Sequence, residues 1–265
     1  MSRRPGRRAA AAAAPHAVLT RGPSVHAGCD DEWTPPLIVK LLHLCDSLFP
    51  IGGFAHSDGL EAAAAGRDGI RPDAAAASLL RAWLDTCLDE TIGRLEGPTV
   101  WQAWTAFHQR DWQTLTLLDR EVVALRPSAS ARRSTRAMGL RLLTTWQALY
   151  PDSRNEHVLS MARDGEIAPA LPVAFASASA SADVDRRSTV EAFAYTRLAS
   201  TVSAGMRLMP VGQTDAHVLL ARLVERLPAA VDALIARDAP PESFTPAMDI
   251  AAMTQQYLHS RLFRS

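Results

Sequence analysis

From Leu37 onward, apolar residues recur every three or four positions, the interval at which side chains share one face of an α-helix. Leu37, Leu41, Leu44, Cys45 and Leu48 predict a first helix of about three turns, stopped by Pro50 and Gly52-Gly53. A second opens near Asp58, where the spacing to Glu61 predicts a capping-box pairing, and runs to Gly66. Asp73 is placed to cap a long amphipathic helix that buries Leu79, Leu80, Trp83, Leu84, Cys87 and Leu88, and Gly97-Pro98 is expected to break it. The same spacing predicts helices over 100–109, 112–125, 128–150, 156–164, 170–182, 188–207 and 214–237, punctuated by Pro151-Asp152, Pro210-Val211-Gly212 and Pro240-Pro241. No stretch sustains two-residue alternation with β-branched enrichment, and the segments share no common period. The expectation is an all-α fold, a single helical bundle of nine or ten helices.

Residues 1–34 do not join this pattern. They carry Arg, Ala and Pro but few large apolar side chains, too little to offset the entropy of ordering, and read as a disordered extension ahead of an all-helical domain spanning 35–265. The run Ala9 to Ala14 after the basic Ser2 to Arg8 is too short and too weakly apolar for an export signal. Lys plus Arg equal Asp plus Glu at 28 each, so no global field steers the chain to nucleic acid or an acidic membrane. No apolar run approaches the ~20 residues of a membrane span. Cys29, Cys45 and Cys87 are odd in number and far apart, which argues against a disulfide framework and fits a reducing cytoplasm.

The usual catalytic constellations are missing: no phosphate-cradling glycine loop followed by Lys-Ser/Thr, no dinucleotide fingerprint, no His-Glu-x-x-His and no Gly-x-Ser-x-Gly. An enzyme reading therefore rests on His43, Asp46 and His56, with Cys45, around the break after the first helix. Their spacing matches no standard metal site, and capping or core-edge roles explain them better. Trp101, Trp104, Phe107 and Trp112 read as a packing face, and Arg126, Arg132, Arg133, Arg136 and Arg141 as a solvated helix surface.

Two segments depart from ordinary core. Ser47 to Glu61 (SLFPIGGFAHSDGLE) stops a helix yet keeps Phe49, Ile51 and Phe54 in the break. Tyr257 to Ser265 (YLHSRLFRS) holds apolar and cationic anchors where a chain ordinarily frays. Together with Val202 to Thr214 (VSAGMRLMPVGQT), these stretches resemble, in order and separation, the signatures of the urease accessory protein family UreF. Weaker similarity covers 37–265. A His-Glu pair precedes the closing motif in that family, whereas this chain has Gln255-Gln256, which removes an imidazole and a carboxylate that could meet nickel.

The resemblance implies a non-catalytic helical homodimer, with no cofactor bound stably, that bridges a UreD/UreH-type protein to the GTPase UreG. The assembly delivers nickel to apo-urease, and the partners handle nickel and GTP. The expected partner-binding residues are Pro50, Ile51, Gly52, Gly53, Phe54, Ser57, Gly59 and Glu61 in the loop and Arg207, Pro210, Gly212 and Gln213 in the middle motif, both toward the GTPase. In the tail they are Tyr257, Ser260, Arg261, Leu262, Phe263 and Ser265, toward the UreD/UreH-type partner or the dimer. Arg207 and Arg264 are candidates for an arginine supplied to the GTPase site. A helical adaptor outside urease biology is the other alternative.

Overall fold

A computed structural model describes residues 36–65 and 72–264, and among these every regular element is helical. The expected 1–34 extension, the end of the second helix at Gly66 and the side chain of Asp73 lie outside the described part. The elements are α1 (Leu37–Cys45), α2 (Leu60–Ala65), α3 (Pro72–Thr86), α4 (Gly97–Gln109), α5 (Trp112–Ala124), α6 (Ala129–Leu149), α7 (Ser153–Arg163), α8 (Leu171–Ser181), α9 (Arg186–Leu208), α10 (Gln213–Arg237) and α11 (Pro246–Thr254).

The short, nearly charge-free helix α8 (LPVAFASASAS) sits at the centre, buried from Leu171 to Ala180 and packed against α4, α6 and α9. Alanine and serine let neighbouring backbones approach closely, and Ser177 returns its hydroxyl to the Val173 carbonyl, so its polarity costs little. Gly139 of α6 faces the chain entering α8: a Cβ there would stand 2.1 Å from the Pro169 carbonyl oxygen. Around α8 lie Phe107, Trp146 and Phe193, the last edge-on to Phe175 of α8, with the Trp146 indole donating to Ser181. A second apolar cluster joins Leu60, Leu80, Trp83, Leu84, Leu88, Leu198 and Leu223 between α2, α3, α9 and α10.

Three expectations are corrected. Gly97-Pro98 does not break the long helix: α3 and α4 are continuous through Cys87–Glu96, which winds as a π-helix, with the Gly97 N–H bonded five residues back to the Ile92 carbonyl. Pro98 has no N–H for the Arg94 carbonyl, and the backbone N–H of Glu242 supplies it instead at 2.9 Å. Gly97 itself admits α10, since a Cβ would meet Leu234 at 2.5 Å.

Asp58 and Glu61 form no capping box. Asp58 has a left-handed backbone (φ 50°) and α2 starts at Leu60, so both carboxylates are turned to other partners. Finally, α11 is an element that apolar spacing does not predict, although Thr245-Pro246 with Asp249 is a serviceable helix start and the Thr245 hydroxyl meets the Asp249 carboxylate at 3.3 Å.

Candidate functional site

The loop after α1 divides in two. Its first half lies on α6: Gly52 (φ 80°) leaves room for the Arg141 guanidinium, and Ile51 packs on the main core. Its second half, 55–61, receives the carboxyl-terminal tail. Gly59 (φ 96°) is required at this junction, because a Cβ would fall 2.6 Å from the Ala252 nitrogen of α11. With α11 held that close, Gln255 enters the turn. It is 3 % exposed, and its carbonyl oxygen accepts from the Ser57 hydroxyl (3.1 Å) and the Gly59 N–H (3.0 Å). Its amide donates to Glu61 at 3.2 Å.

Glu61, buried on the first turn of α2, completes the closure. Its carboxylate accepts the backbone N–H groups of Leu262 (2.5 Å) and Phe263 (3.2 Å), charge-assisted bonds that fix a segment with no helix of its own. The Arg264 N–H donates to the Ala55 carbonyl at 2.7 Å. The Phe263 ring, 4 % exposed, enters the second apolar cluster, and the Arg207 guanidinium lies 4.3 Å from its centroid. His56 is bonded to the Arg264 backbone, and burial lowers its pKa despite the raising effect of Asp58.

Behind the turn runs a chain of charges. Arg126 pairs with Glu96 (2.5 Å), Glu96 with Arg197 (3.0 Å), and Arg197 with Asp58 (2.6 Å). Burial works to raise the Asp58 pKa, but Arg197 overrides it and holds the carboxyl below its ordinary range. Burial likewise opposes the charge on Arg197, and Glu96 and Asp58 outweigh it, so its pKa is raised. Burial pushes the nearby Cys87 thiol up to about 12, leaving it an inert core group.

Of the anticipated binding residues, the fold thus brings Ser57, Gly59, Glu61, Arg207, Leu262 and Phe263 into one assembly. Ser57, Gly59, Glu61 and Phe263 were expected to be uncovered; they are sealed against their own chain because the tail and the turn satisfy one another. Pro50, Gly52, Pro210, Gly212, Gln213, Ser260 and Arg261 are exposed, and Ile51 and Gly53 half-buried. Pro210 and Gly212 lie in the α9–α10 turn, with Gly212 immediately ahead of α10 and Gln213 its first residue. Tyr257 is 80 % exposed. The side chain of Phe54 and all of Ser265 lie outside the described part.

Arg126, read as surface, is instead tied into the buried chain. Gln255, Arg197 and Glu96 are site residues that the sequence reading misses. Arg197 carries the readable signal: three residues after Ala194 and four before Thr201, it stands on a buried helical face.

The alternative cluster does not assemble. The His43 Nδ1 is 2.9 Å from the Tyr150 hydroxyl, Asp46 accepts from the Leu48 N–H, and His56 faces the tail. Among the described residues no three His, Cys, Asp or Glu side chains converge on a metal-sized point, and no helix is long and apolar enough to cross a membrane.

Among the described residues two apolar faces remain open after the tail is seated. One is α1 with its following residues, where Leu37, Ile38, Val39, Leu42 and Leu48 are exposed. The other follows α11: Ile250, Met253 and Tyr257 recur at helical spacing, flanked by Phe244 and Leu262.

A family model described as UreF matches residues 74–224. The urease accessory protein UreF of Methylibium petroleiphilum is 34 % identical over 229 residues, covering 86 % of this chain and 94 % of that protein. UreF of Nitrosococcus oceani is 33 % identical over 227 residues (85 % and 97 %), and UreF of Polaromonas sp. 29 % over 229 (86 % and 94 %). With the family model spanning more than half of its residues and such relatives aligned over nearly their whole length, this chain belongs to the UreF family of urease accessory proteins.

Proposed function

We propose that this chain is a non-catalytic scaffold of urease maturation, which as a homodimer in the cytoplasm holds a UreD/UreH-type protein and a UreG-type GTPase together while nickel is passed to apo-urease. The observation that carries the reading is the pair of apolar faces left open once the tail is closed. Contiguous apolar surface on a folded chain marks a place where another protein is buried. The two faces belong to separate parts of the fold, since α1 packs on α9 whereas α11 packs on α2 and α6.

The α1 face suits the homodimer, because one stripe of aliphatic side chains meets its own copy across a two-fold axis without requiring charge complementarity. The α11 face, with Phe244, Tyr257 and Leu262, offers the aromatic anchors of a hetero-interface and suits the UreD/UreH-type partner. The closed turn and tail, with Arg207 fixed on Phe263 and Arg261 beside it in sequence, is assigned to the GTPase. A scaffold acts on a GTPase by binding one nucleotide state better than another, and the difference in affinity sets the shift in population. Nickel and GTP stay with the partners, and this chain supplies no resident cofactor.

The test is size-exclusion chromatography of the purified chain with its UreD-type and UreG-type partners, with and without GTP and nickel. Ile250→Asp is expected to abolish the complex with the UreD-type partner and Leu42→Asp to yield monomers. Deletion of 257–265 takes away Tyr257 and Leu262 together with the seated tail and is expected to lose the GTPase and weaken the complex with the UreD-type partner. If the deletion leaves every complex intact, the tail has no part in recruitment and the proposal fails.

A further inference from the structure

We infer that the groove between α3 and α10 is a docking site for an acidic amphipathic helix of a partner protein, separate from both open apolar faces. The groove holds about 200 Å3 of empty space. From α3 it is lined by Arg81, Leu84 and Asp85, at positions i, i+3 and i+4; from α10 it is lined by Leu219, Arg222, Leu223 and Arg226, at i, i+3, i+4 and i+7. Those intervals are the ones by which two packed helices present a continuous furrow, which in a bundle a third helix fills.

The chemistry of the furrow selects its occupant. Its floor is aliphatic: Leu84, Leu219 and Leu223 are buried from the sides by the second apolar cluster and face the space from below. A cavity of ~150 Å3 accepts a benzene-sized group, so the furrow has room for one leucine or phenylalanine side chain. Its rim is cationic. The Arg226 guanidinium is already committed to Asp85 (2.5 Å) and Asp89 (2.8 Å), whereas Arg81 and Arg222 make no ion pair among the described residues. An apolar slot between two guanidinium groups that have no ion pair among the described residues, one on each wall, fits a helix that carries a large apolar side chain with carboxylates a turn to either side.

Arginine stems commonly lie over leucines merely to shield them from water. Here the floor leucines are only 1–8 % exposed, yet about 200 Å3 of space persists between the two walls, and Arg226 is held by Asp85 and Asp89 on the α3 side. Phosphate-rich partners are disfavoured: the chain as a whole carries equal numbers of acidic and basic residues, so there is no extended positive field of the kind that tracks a phosphate backbone.

The experiment measures fluorescence anisotropy of a labelled helical peptide of roughly sixteen residues, leucines at helical spacing and glutamates flanking them, titrated with the full chain. Binding in the tens of micromolar is expected, weakened by about tenfold or more in the double variant Arg81→Glu/Arg222→Glu. Both substitutions are on exposed positions, so the variant should fold, which circular dichroism and melting would verify. The same variant should gain affinity for a peptide with lysines in place of the glutamates. No binding, equal binding by a peptide with alanines in place of the leucines, or indifference to the charge reversal each overturns the inference. So does tighter retention of the chain on phosphatidylserine vesicles, lost in the variant, since the groove would then read anionic surfaces and not helices. None of these outcomes bears on complexes formed through α1, α11 or the tail, so failure here leaves the scaffold reading to its own test.

Discussion

The core around α8 and the seam between the 55–61 turn and the tail are both buried, yet they are held in different ways. At α8 nearly every contact is between apolar or small side chains, and specificity comes from volume: Gly139, Ala174, Ala176 and Ala178 set how closely helices approach. At the seam a short run of non-helical chain is held by a carboxylate, an amide and a line of alternating charges, and specificity comes from direction. The first kind of interior fails when atoms are removed; the second fails when a partner loses its charge or its donor. A tail with too few side chains to pack gains from the second, because directional bonds fix its backbone.

The largest effect is expected from Trp146→Ala in the α8 core. Trp146 is fully buried against Phe49 and Tyr150, and truncation leaves a cavity and removes the indole's bond to Ser181, whose hydroxyl keeps Asn155 and the Ala178 carbonyl as partners. A loss of about 5 kcal/mol is expected in urea unfolding, at the upper end for such changes. Because no charge is involved, the deficit should be the same at pH 7 and at pH 4. A deficit that collapses in acid would mean the two regions are not distinct in kind.

Arg197→Met comes next, with about 3–4 kcal/mol lost at neutral pH, since Glu96 and Asp58 are left facing each other without their shared cation. This loss should depend on pH. The folded-state pKa of Asp58 is depressed, so its contribution is fully present above the ordinary carboxylate range and is lost as pH falls through the depressed value. Unfolding curves of the parent and the variant are therefore expected to converge toward acid, where those of Trp146→Ala stay apart.

The difference between the regions also explains what the sequence disclosed. Helical spacing exposes apolar faces directly, so the ranges 112–125, 128–150, 170–182, 188–207 and 214–237 anticipate α5, α6, α8, α9 and α10. Contacts at the seam join residues far apart in the chain, such as Glu61 with Phe263, 202 positions on, and no local pattern encodes that pairing. Glu61 even satisfied a local rule, the capping box, which the tail's backbone donors displaced. Gly97-Pro98 misled for a related reason: the carbonyl that a proline orphans was supplied from Glu242, far along the chain. The signature segments were visible, but that they close on one another required the fold.

Glu61→Gln should be milder and local. One carboxylate oxygen becomes an amide that cannot accept from the tail N–H groups, and about 2 kcal/mol of charge-assisted bonding is lost. Hydrogen exchange is expected to show lost protection at Leu262, Phe263 and Arg264, with the amides of α8 unchanged. Equal loss of protection in α8 would show that the tail is integral to the main core and not a seam upon it.

The smallest effect is expected from Arg163→Ala. Arg163 meets Glu156 along α7 at 2.7 Å, a separation close to the 2.6 Å between Arg197 and Asp58. Their side chains are 64 % and 49 % exposed, so water screens the pair and holding two long side chains in one geometry costs entropy. Less than ~1 kcal/mol should be lost, and added salt should erase even that. Two ion pairs of nearly equal length would then differ severalfold in worth, because one stands in water and the other lies in a cleft beside Trp83, Cys87 and Thr91 with side chains 13 % and 33 % exposed. If instead Arg163→Ala costs as much as Arg197→Met, distance and not burial governs these pairs, and the seam loses its claim to be a special region of the molecule.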